Sequence, residues 1–181
     1  MASTVRPALS IDADAIAAAH VAAWREAYRG LLPDSVLAGL SVAARADQWR
    51  RTLARSPAIS SVFVAESDSD GIQGFISGGP RRAQGLIGDA EVYALYVRAQ
   101  AQRQGLGRHL MRALAGTLSE RGFQSLGLWV LRENAAGRGF YARLGGEVGS
   151  ERRDTEAGHT IIETAYEWPD LAALVGADNL R

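Results

Sequence analysis

The sequence predicts an α/β fold, and three patterns carry that expectation. Val92 to Leu118 passes from an apolar run, VYALYV, through a polar turn, RAQAQRQGLGR, into the leucine-spaced segment LGRHLMRALAGTL, which reads as buried strand, turn and helix. Alternating segments flank Asp68-Ser69-Asp70-Gly71, where Asp-Gly accepts the positive φ that a tight turn needs, and a second alternating pair flanks Glu156-Ala157-Gly158. Helical spacing runs from Ala13 to Tyr28 and again from Asn134 to Leu144. No repeat and no long linker interrupts the chain, so a single domain is expected over 1–168, with a tail over 169–181.

Thr4 to Leu9 reads as a short strand that Pro7 confines to an edge or a bulge. Ser10 or Asp12 caps a helix whose stripe is Ile16, Ala19, Val21, Ala23, Trp24 and Tyr28, stopped by Gly30 and Pro33. Trp24 and Tyr28, beside the loop 29–34, either line a substrate site or pack on the core face. Asp34 and Ser41 cap two further pieces, Ser35 to Leu40 and Val42 to Arg55, and Pro57 closes the helical region. Ser61 to Glu66 and Ile72 to Gly78 form the first hairpin. Gly79 to Gly85 is a loop that places Arg81 and Arg82 on a solvated surface.

Ile87 to Val97 is the longest strand candidate, and regular alternation puts Glu91, Tyr93, Leu95 and Val97 on one side. Glu91 is then either a solvated strand end or a proton acceptor at the mouth of a cleft. The helix Leu106 to Arg121 ends at Gly122, and Ser125 to Leu131 is another buried strand. In the segment that follows, Asn134, Arg138 and Tyr141 fall at i, i+4 and i+7, on one helical face, with Phe140 and Leu144 as the apolar stripe. Glu147 to Glu156 and His159 to Trp168 make the last hairpin. Asp170 caps a short helix, Leu171 to Val175, and disorder is expected beyond Gly176.

Composition narrows the chemistry. Twenty basic residues balance twenty acidic ones, so no global field draws nucleic acid or an anionic membrane. Every one of those basic residues is arginine, which excludes lysine Schiff bases. The absence of cysteine removes disulfides, thiolate metal sites and thiol nucleophiles together. No apolar run approaches the ~20 residues of a membrane span, and no leader-like segment opens the chain, so a cytoplasmic protein is expected.

The turn before the long helix is the strongest local signal. The first amides of a helix lack partners inside it, and the peptide dipoles leave about half a positive charge there. Gly105 and Gly107 remove Cβ atoms that would hold a diphosphate off the backbone, while Arg103 and Arg108 add charge. A Rossmann fingerprint would need a third glycine where Leu110 stands, and a P-loop would need a lysine. Either this segment is a phosphate cradle of another kind, or it simply joins strand to helix.

Two motifs decide the matter by resemblance. Gln102-Arg103-Gln104-Gly105-Leu106-Gly107 is similar to the Q/R-x-x-G-x-G/A signature of the GNAT (GCN5-related N-acetyltransferase) superfamily, and Asn134 through Phe140-Tyr141 to Leu144-Gly145 is similar to its second motif, N-x-x-x-x-x-F-Y-x-x-L-G. The order of elements resembles that family from about Thr4 to Trp168, and AAWREAYRGLLPD and DQWRRTL look like its substrate-side helices.

The resemblance implies a mixed, mostly antiparallel central sheet of about seven strands flanked by about four helices and splayed at the cofactor strand. It also implies acetyl-CoA as cosubstrate and a small-molecule or peptide amine as acceptor. The backbone of Leu95, Tyr96 and Val97 would pair with the pantetheine arm, and the amides of Arg103, Gln104, Gly105, Leu106, Gly107 and Arg108 would hold the pyrophosphate. Asn134 would bind the pantetheine, Arg138 would reach the cofactor, and Tyr141 would sit near the sulfur, with Glu91 or ordered water as base. An amide near Tyr96 or Val97 would stabilise the oxyanion. Trp24, Tyr28, Tyr93 and Trp129 would shape the acceptor pocket. Some relatives carry a glutamate base in the strand before the asparagine, where Leu128-Trp129-Val130 stands here, and that difference moves the base to Glu91 or water. The terminal hairpin is a plausible dimer surface. The competing reading is a non-catalytic module with the same fold that binds or senses acyl-CoA.

Overall fold

The strands are Ser3–Pro7 (β1), Ser61–Ser67 (β2), Gly71–Pro80 (β3), Ala90–Val97 (β4), Leu126–Leu131 (β5), Glu147–Glu156 (β6) and His159–Trp168 (β7), in one seven-stranded sheet ordered β1-β2-β3-β4-β5-β7-β6. Helices are Ala13–Ala27 (α1), Asp34–Ala38 (α2), Val42–Leu53 (α3), Leu106–Glu120 (α4), Ala135–Arg143 (α5) and Leu171–Gly176 (α6). This computed structural model describes residues 3–30, 32–55, 60–156 and 158–176, so Pro57 and the chain beyond Gly176 lie outside the described residues. The α/β class and the mostly antiparallel sheet agree with expectation. Pairs β1–β2, β5–β7 and β6–β7 are antiparallel, whereas β4 and β5 run parallel through Ala90–Leu126 and Glu91–Gly127. No described helix is long and apolar enough to cross a membrane.

The chain divides into two compact units, Met1–Ser77 with Ala94–Ala113 and Gly78–Tyr93 with Leu114–Arg181. In the first, α1 buries Ala13, Ile16 and Ala17 in a cluster with Ala46 and Trp49 of α3 and Val64, Ile72 and Phe75 of the sheet. Gly30, at φ 76°, follows the helix end at Tyr28, a conformation that glycine adopts without strain. Arg6 on β1 ties the entry to α1. Its guanidinium donates to both carboxylate oxygens of Asp12 at 2.7 and 3.0 Å and to Glu66 at 2.8 Å. The Arg6 bonds hold the Asp12 carboxyl below the usual carboxylate range. Ser41 caps α3 as expected, accepting from the Ala44 amide at 3.2 Å. Asp34 does not cap α2, because Pro33 takes the cap position and Asp34 becomes its first residue.

In the second unit β5 is buried at Leu126, Leu128 and Val130, and α4 adds Leu114 and Leu118. The tail joins this core: Leu171 and Leu174 of α6 are buried, the Leu171 amide donates to the Gln124 carbonyl at 2.8 Å, and Asp170 caps through the Ala172 amide at 2.9 Å. A bulge lies between Val148 and Glu151 of β6. β4 starts at Ala90, later than the expected Ile87. The Asp89 carboxylate accepts from the Gln124 and Ser125 amides at 3.0 and 2.9 Å, and those bonds hold the chain in a loop until the ladder begins. Nor does β4 show simple alternation of burial, since Ala90, Glu91 and Val92 are all buried and the next five residues are intermediate.

Candidate functional site

The expected site residues are shared between the units: Trp24, Tyr28, Leu95 to Val97 and Arg103 to Arg108 in the first, Glu91, Tyr93, Trp129, Asn134, Arg138 and Tyr141 in the second. In the first unit the turn leading into α4 has its amides free. The His109 amide bonds the Gly105 carbonyl at 3.1 Å, so the helix proper starts there. None of the six amides from Arg103 to Arg108 has a hydrogen-bond acceptor among the described residues. Arg103 and Gly105 both have positive φ, 61° and 83°. For arginine that conformation is uncommon and costs energy. Positive-φ residues bend the chain so that nearby N–H groups are left outside the regular ladders, and the dipole of α4 adds positive charge at the same place. These features fit an anion with several oxygens.

Upstream, Gln102 donates its side-chain amide to the Val97 carbonyl at 3.0 Å, fastening the turn to the end of β4. Tyr96 sends its ring into the core, 5.8 Å from Phe75 and 5.1 Å from His20. His20 was not singled out by the sequence reading. It is buried at 8% exposure, and burial together with the positive charge of Arg45 pushes its pKa down to about 3. Its Nδ1 accepts from Trp49 Nε1 at 3.2 Å. Trp24 stacks on Tyr28 with ring centroids 4.6 Å apart, so the two are both a packed pair and part of an aromatic cluster. The spacing His20, Trp24, Tyr28, one residue per turn, is the signal that would have found His20.

In the second unit Asn134 departs from the expected geometry. It stands ahead of α5 as its cap, with Oδ1 accepting from the Gly137 amide at 2.9 Å, and so is not on the helical face that holds Arg138 and Tyr141. Its short side chain suits that cap better than a first-turn position. A Cβ on Gly137 would meet Asn134 Nδ2 at 2.8 Å, so this glycine makes room for the cap. Arg138 donates from one terminal nitrogen to the Arg132 carbonyl at 3.0 Å, while its Nε is buried without a partner among the described residues. Tyr141 lies 5.8 Å from the Tyr166 ring and 6.3 Å from Trp168, and Trp168 Nε1 donates to the Leu144 carbonyl at 2.9 Å. α5 is thus held against β7 by aromatic edges.

Glu91 is buried and not a solvated strand end. Its Oε2 accepts from the Arg82 and Ala83 amides at 2.7 and 2.8 Å, so it shapes the loop after β3. Arg82 is exposed as expected, yet its guanidinium lies 3.5 Å from the Tyr93 ring centre. The Tyr93 hydroxyl donates to the Pro80 carbonyl at 2.6 Å, and burial is the main influence raising its pKa. Trp129 carries Arg152 over its ring at 4.3 Å, and its indole N–H is buried without a partner among the described residues.

Comparison with known proteins shows the family and the fold. Residues 21–146 match the model of the acetyltransferase (GNAT) family. The chain is 36% identical over 171 residues to the uncharacterized N-acetyltransferase YuaI of Bacillus subtilis, covering 94% of this chain and 95% of that one. It is 31% identical over 142 residues to the probable N-acetyltransferase Rv2775 of Mycobacterium tuberculosis, covering 77% and 76%. Among solved structures, the PaiA N-acetyltransferase of Thermoplasma acidophilum in complex with coenzyme A has the same fold, with TM-score 0.73, 19% identity and coverage of 93% and 100%. YncA of Salmonella typhimurium, a putative acetyltransferase with acetyl-CoA, matches at TM-score 0.66 and 21% identity, over 94% of this chain and 95% of that one.

Proposed function

Because the chain belongs to the acetyltransferase (GNAT) family, we propose that it is an N-acetyltransferase that moves the acetyl group of acetyl-CoA to a primary amine by direct attack, with no covalent enzyme intermediate. The observation that carries the proposal is the run of six unpartnered amides from Arg103 to Arg108. Such a run suits a diphosphate, and the family motif lies on it. Acetyl-CoA supplies an activated thioester; the residues of this chain bind and orient it and manage protons. Arg103 to Arg108 hold the pyrophosphate, and the backbone of Leu95 to Val97 takes the pantetheine arm. Asn134, its Oδ1 committed to the Gly137 amide, offers Nδ2 to that arm. The buried, unpartnered Nε of Arg138 supports its assignment to the cofactor as well.

An alkyl amine with a pKa near ~10 is protonated at neutral pH and must lose a proton before it attacks. Glu91 Oε2 is engaged by two amides, so the proton goes to Oε1 directly or through ordered water. A backbone amide near Tyr96 or Val97 stabilises the oxyanion. Tyr141 serves the leaving sulfur. A phenol at ~10 facing a thiol at ~8.5 makes full proton transfer uphill by about 1.5 units, so the role is a hydrogen bond to developing charge. Trp24, Tyr28, Tyr93 and Trp129 shape the acceptor pocket.

The test is thiol release from acetyl-CoA across a panel of primary amines. Release with at least one amine at more than tenfold the rate of hydrolysis is expected. Binding of CoA without release to any amine would leave the acyl-CoA-sensing alternative in its place. A homodimer through β6 and β7 is part of the same proposal and is checked by sedimentation.

A further inference from the structure

One cluster in the first unit holds two N–H groups, on His20 and Trp24, that have no acceptor among the described residues. His20 and Trp24 stand one turn apart on α1, their rings edge to face with centroids 6.0 Å apart. Trp24 Nε1 is buried and has no hydrogen-bond partner among the described residues. His20 Nδ1 accepts from Trp49 Nε1, so the neutral imidazole carries its proton on Nε2, and that N–H has no acceptor among the described residues either. The Arg45 guanidinium lies 5.6 Å from the Trp24 ring centre, and its side-chain bond goes to the Gln48 oxygen at 2.9 Å. Arg6, Arg50 and Arg152 each have carboxylate partners; Arg45 has none among the described residues.

Buried donors in folded proteins are paired as a rule, by protein, ordered water or ligand, and in this cluster Trp24 Nε1 is the buried donor that lacks a partner among the described residues. Two N–H groups and one guanidinium without a counter-charge match a group with two oxygens and a single negative charge. The cluster also adjoins Tyr96, 5.1 Å from the His20 ring, within the stretch assigned to the acyl arm.

We propose that His20, Trp24 and Arg45 form a subsite for a carboxylate carried by the acceptor, so that the acceptor is an amino acid or a compound that keeps a carboxylate beside its amine. The inference rests on the acetyltransferase reading for the identity of the ligand as acceptor, and it adds two residues, His20 and Arg45, to the aromatic pair at the pocket. Trp24 binds through its N–H and Arg45 through its charge. His20 is a further donor whose direction Trp49 fixes.

Calorimetric titration of the full chain, with and without CoA, tests this with matched pairs: alanine and ethylamine, histidine and histamine, tyrosine and tyramine, lysine and cadaverine. In at least one pair the amino acid binds tenfold or more tightly than its decarboxylated partner. Trp24→Phe and Arg45→Gln each reduce that ratio below threefold. Trp24→Phe leaves the melting temperature unchanged or higher, because an unsatisfied N–H is removed while the ring stack on Tyr28 is kept. Equal binding within every pair, no binding by any member, or a ratio that survives both substitutions overturns the subsite. Thiol release on the same panel reads the enzyme assignment separately. Release with the simple amines at rates equal to the amino acids keeps the enzyme and overturns the subsite. Carboxylate-dependent binding with no release keeps the subsite and overturns the enzyme.

Discussion

The two motif-bearing helices begin in opposite ways. The turn into α4 and its first residues leave six amides, Arg103 to Arg108, without an acceptor among the described residues, whereas α5 opens on Asn134, which folds its own side chain back onto the Gly137 amide. Both starts are rich in glycine, but the glycines do different things. Gly105 permits a left-handed turn that exposes amides, and Gly137 clears space for a cap that consumes one. An anion site therefore depends on a helix start that leaves its own dipole unanswered. The second start is the stabilised one, and its helix presents side chains instead: Arg138 and Tyr141.

The largest effect that would break this contrast is expected from Gly107→Asp. Aspartate in the first turn of a helix favours the fold, because its charge complements the dipole, yet it repels a diphosphate from the same amides. CoA affinity should fall at least 100-fold, about 2.7 kcal/mol, with the melting temperature held or raised; retained affinity removes the cradle. Tyr141→Phe should lower kcat roughly tenfold to a hundredfold while CoA affinity stays within twofold, since general acid–base and hydrogen-bond contributions are of that order. A parallel loss of both, or of neither, contradicts the role given to the phenol.

Legibility differed between the two starts as well. The glycine turn, the helix behind it and the strand ahead of it were readable because sequence-local chemistry sets them: leucine spacing, missing Cβ atoms and a polar break. The last hairpin and the capped helix α6 were readable for the same reason. The start of β4 was not, because Asp89 is held by amides of Gln124 and Ser125, far along the chain. Glu91 was ambiguous for the same cause: its partners, the Arg82 and Ala83 amides, come from a loop whose path no local pattern records. His20 hid among the alanines of α1, and only its bond to Trp49 and its place beside Trp24 and Tyr96 set it apart.

His20 also sharpens the contrast by pH. Its ordinary value is 6.5 and its folded value about 3, so between those limits the unfolded chain binds a proton that the folded chain refuses. Stability is therefore complete above 6.5 and falls as the pH drops toward 3. The slope is at most about 1.4 kcal/mol per pH unit. His20→Gln should flatten this acid limb in urea melts taken from pH 7 to 4, and an unchanged limb would mean another group carries it. The smallest effect belongs to the cap. Asn134→Ala should cost about 1 kcal/mol, the usual worth of an N-cap, by leaving the Gly137 amide without its acceptor. A neutral result in thermal melts would show that the cap is dispensable.

Amide NMR on labelled protein titrated with CoA compares the two helix starts in a single experiment. The account predicts that the amides from Arg103 to Arg108 move most, with Leu106, Gly107 and Arg108 shifting downfield as they acquire acceptors, while the Gly137 amide, already bonded to Asn134, stays in place. Saturable binding that leaves all six amides unmoved would contradict it.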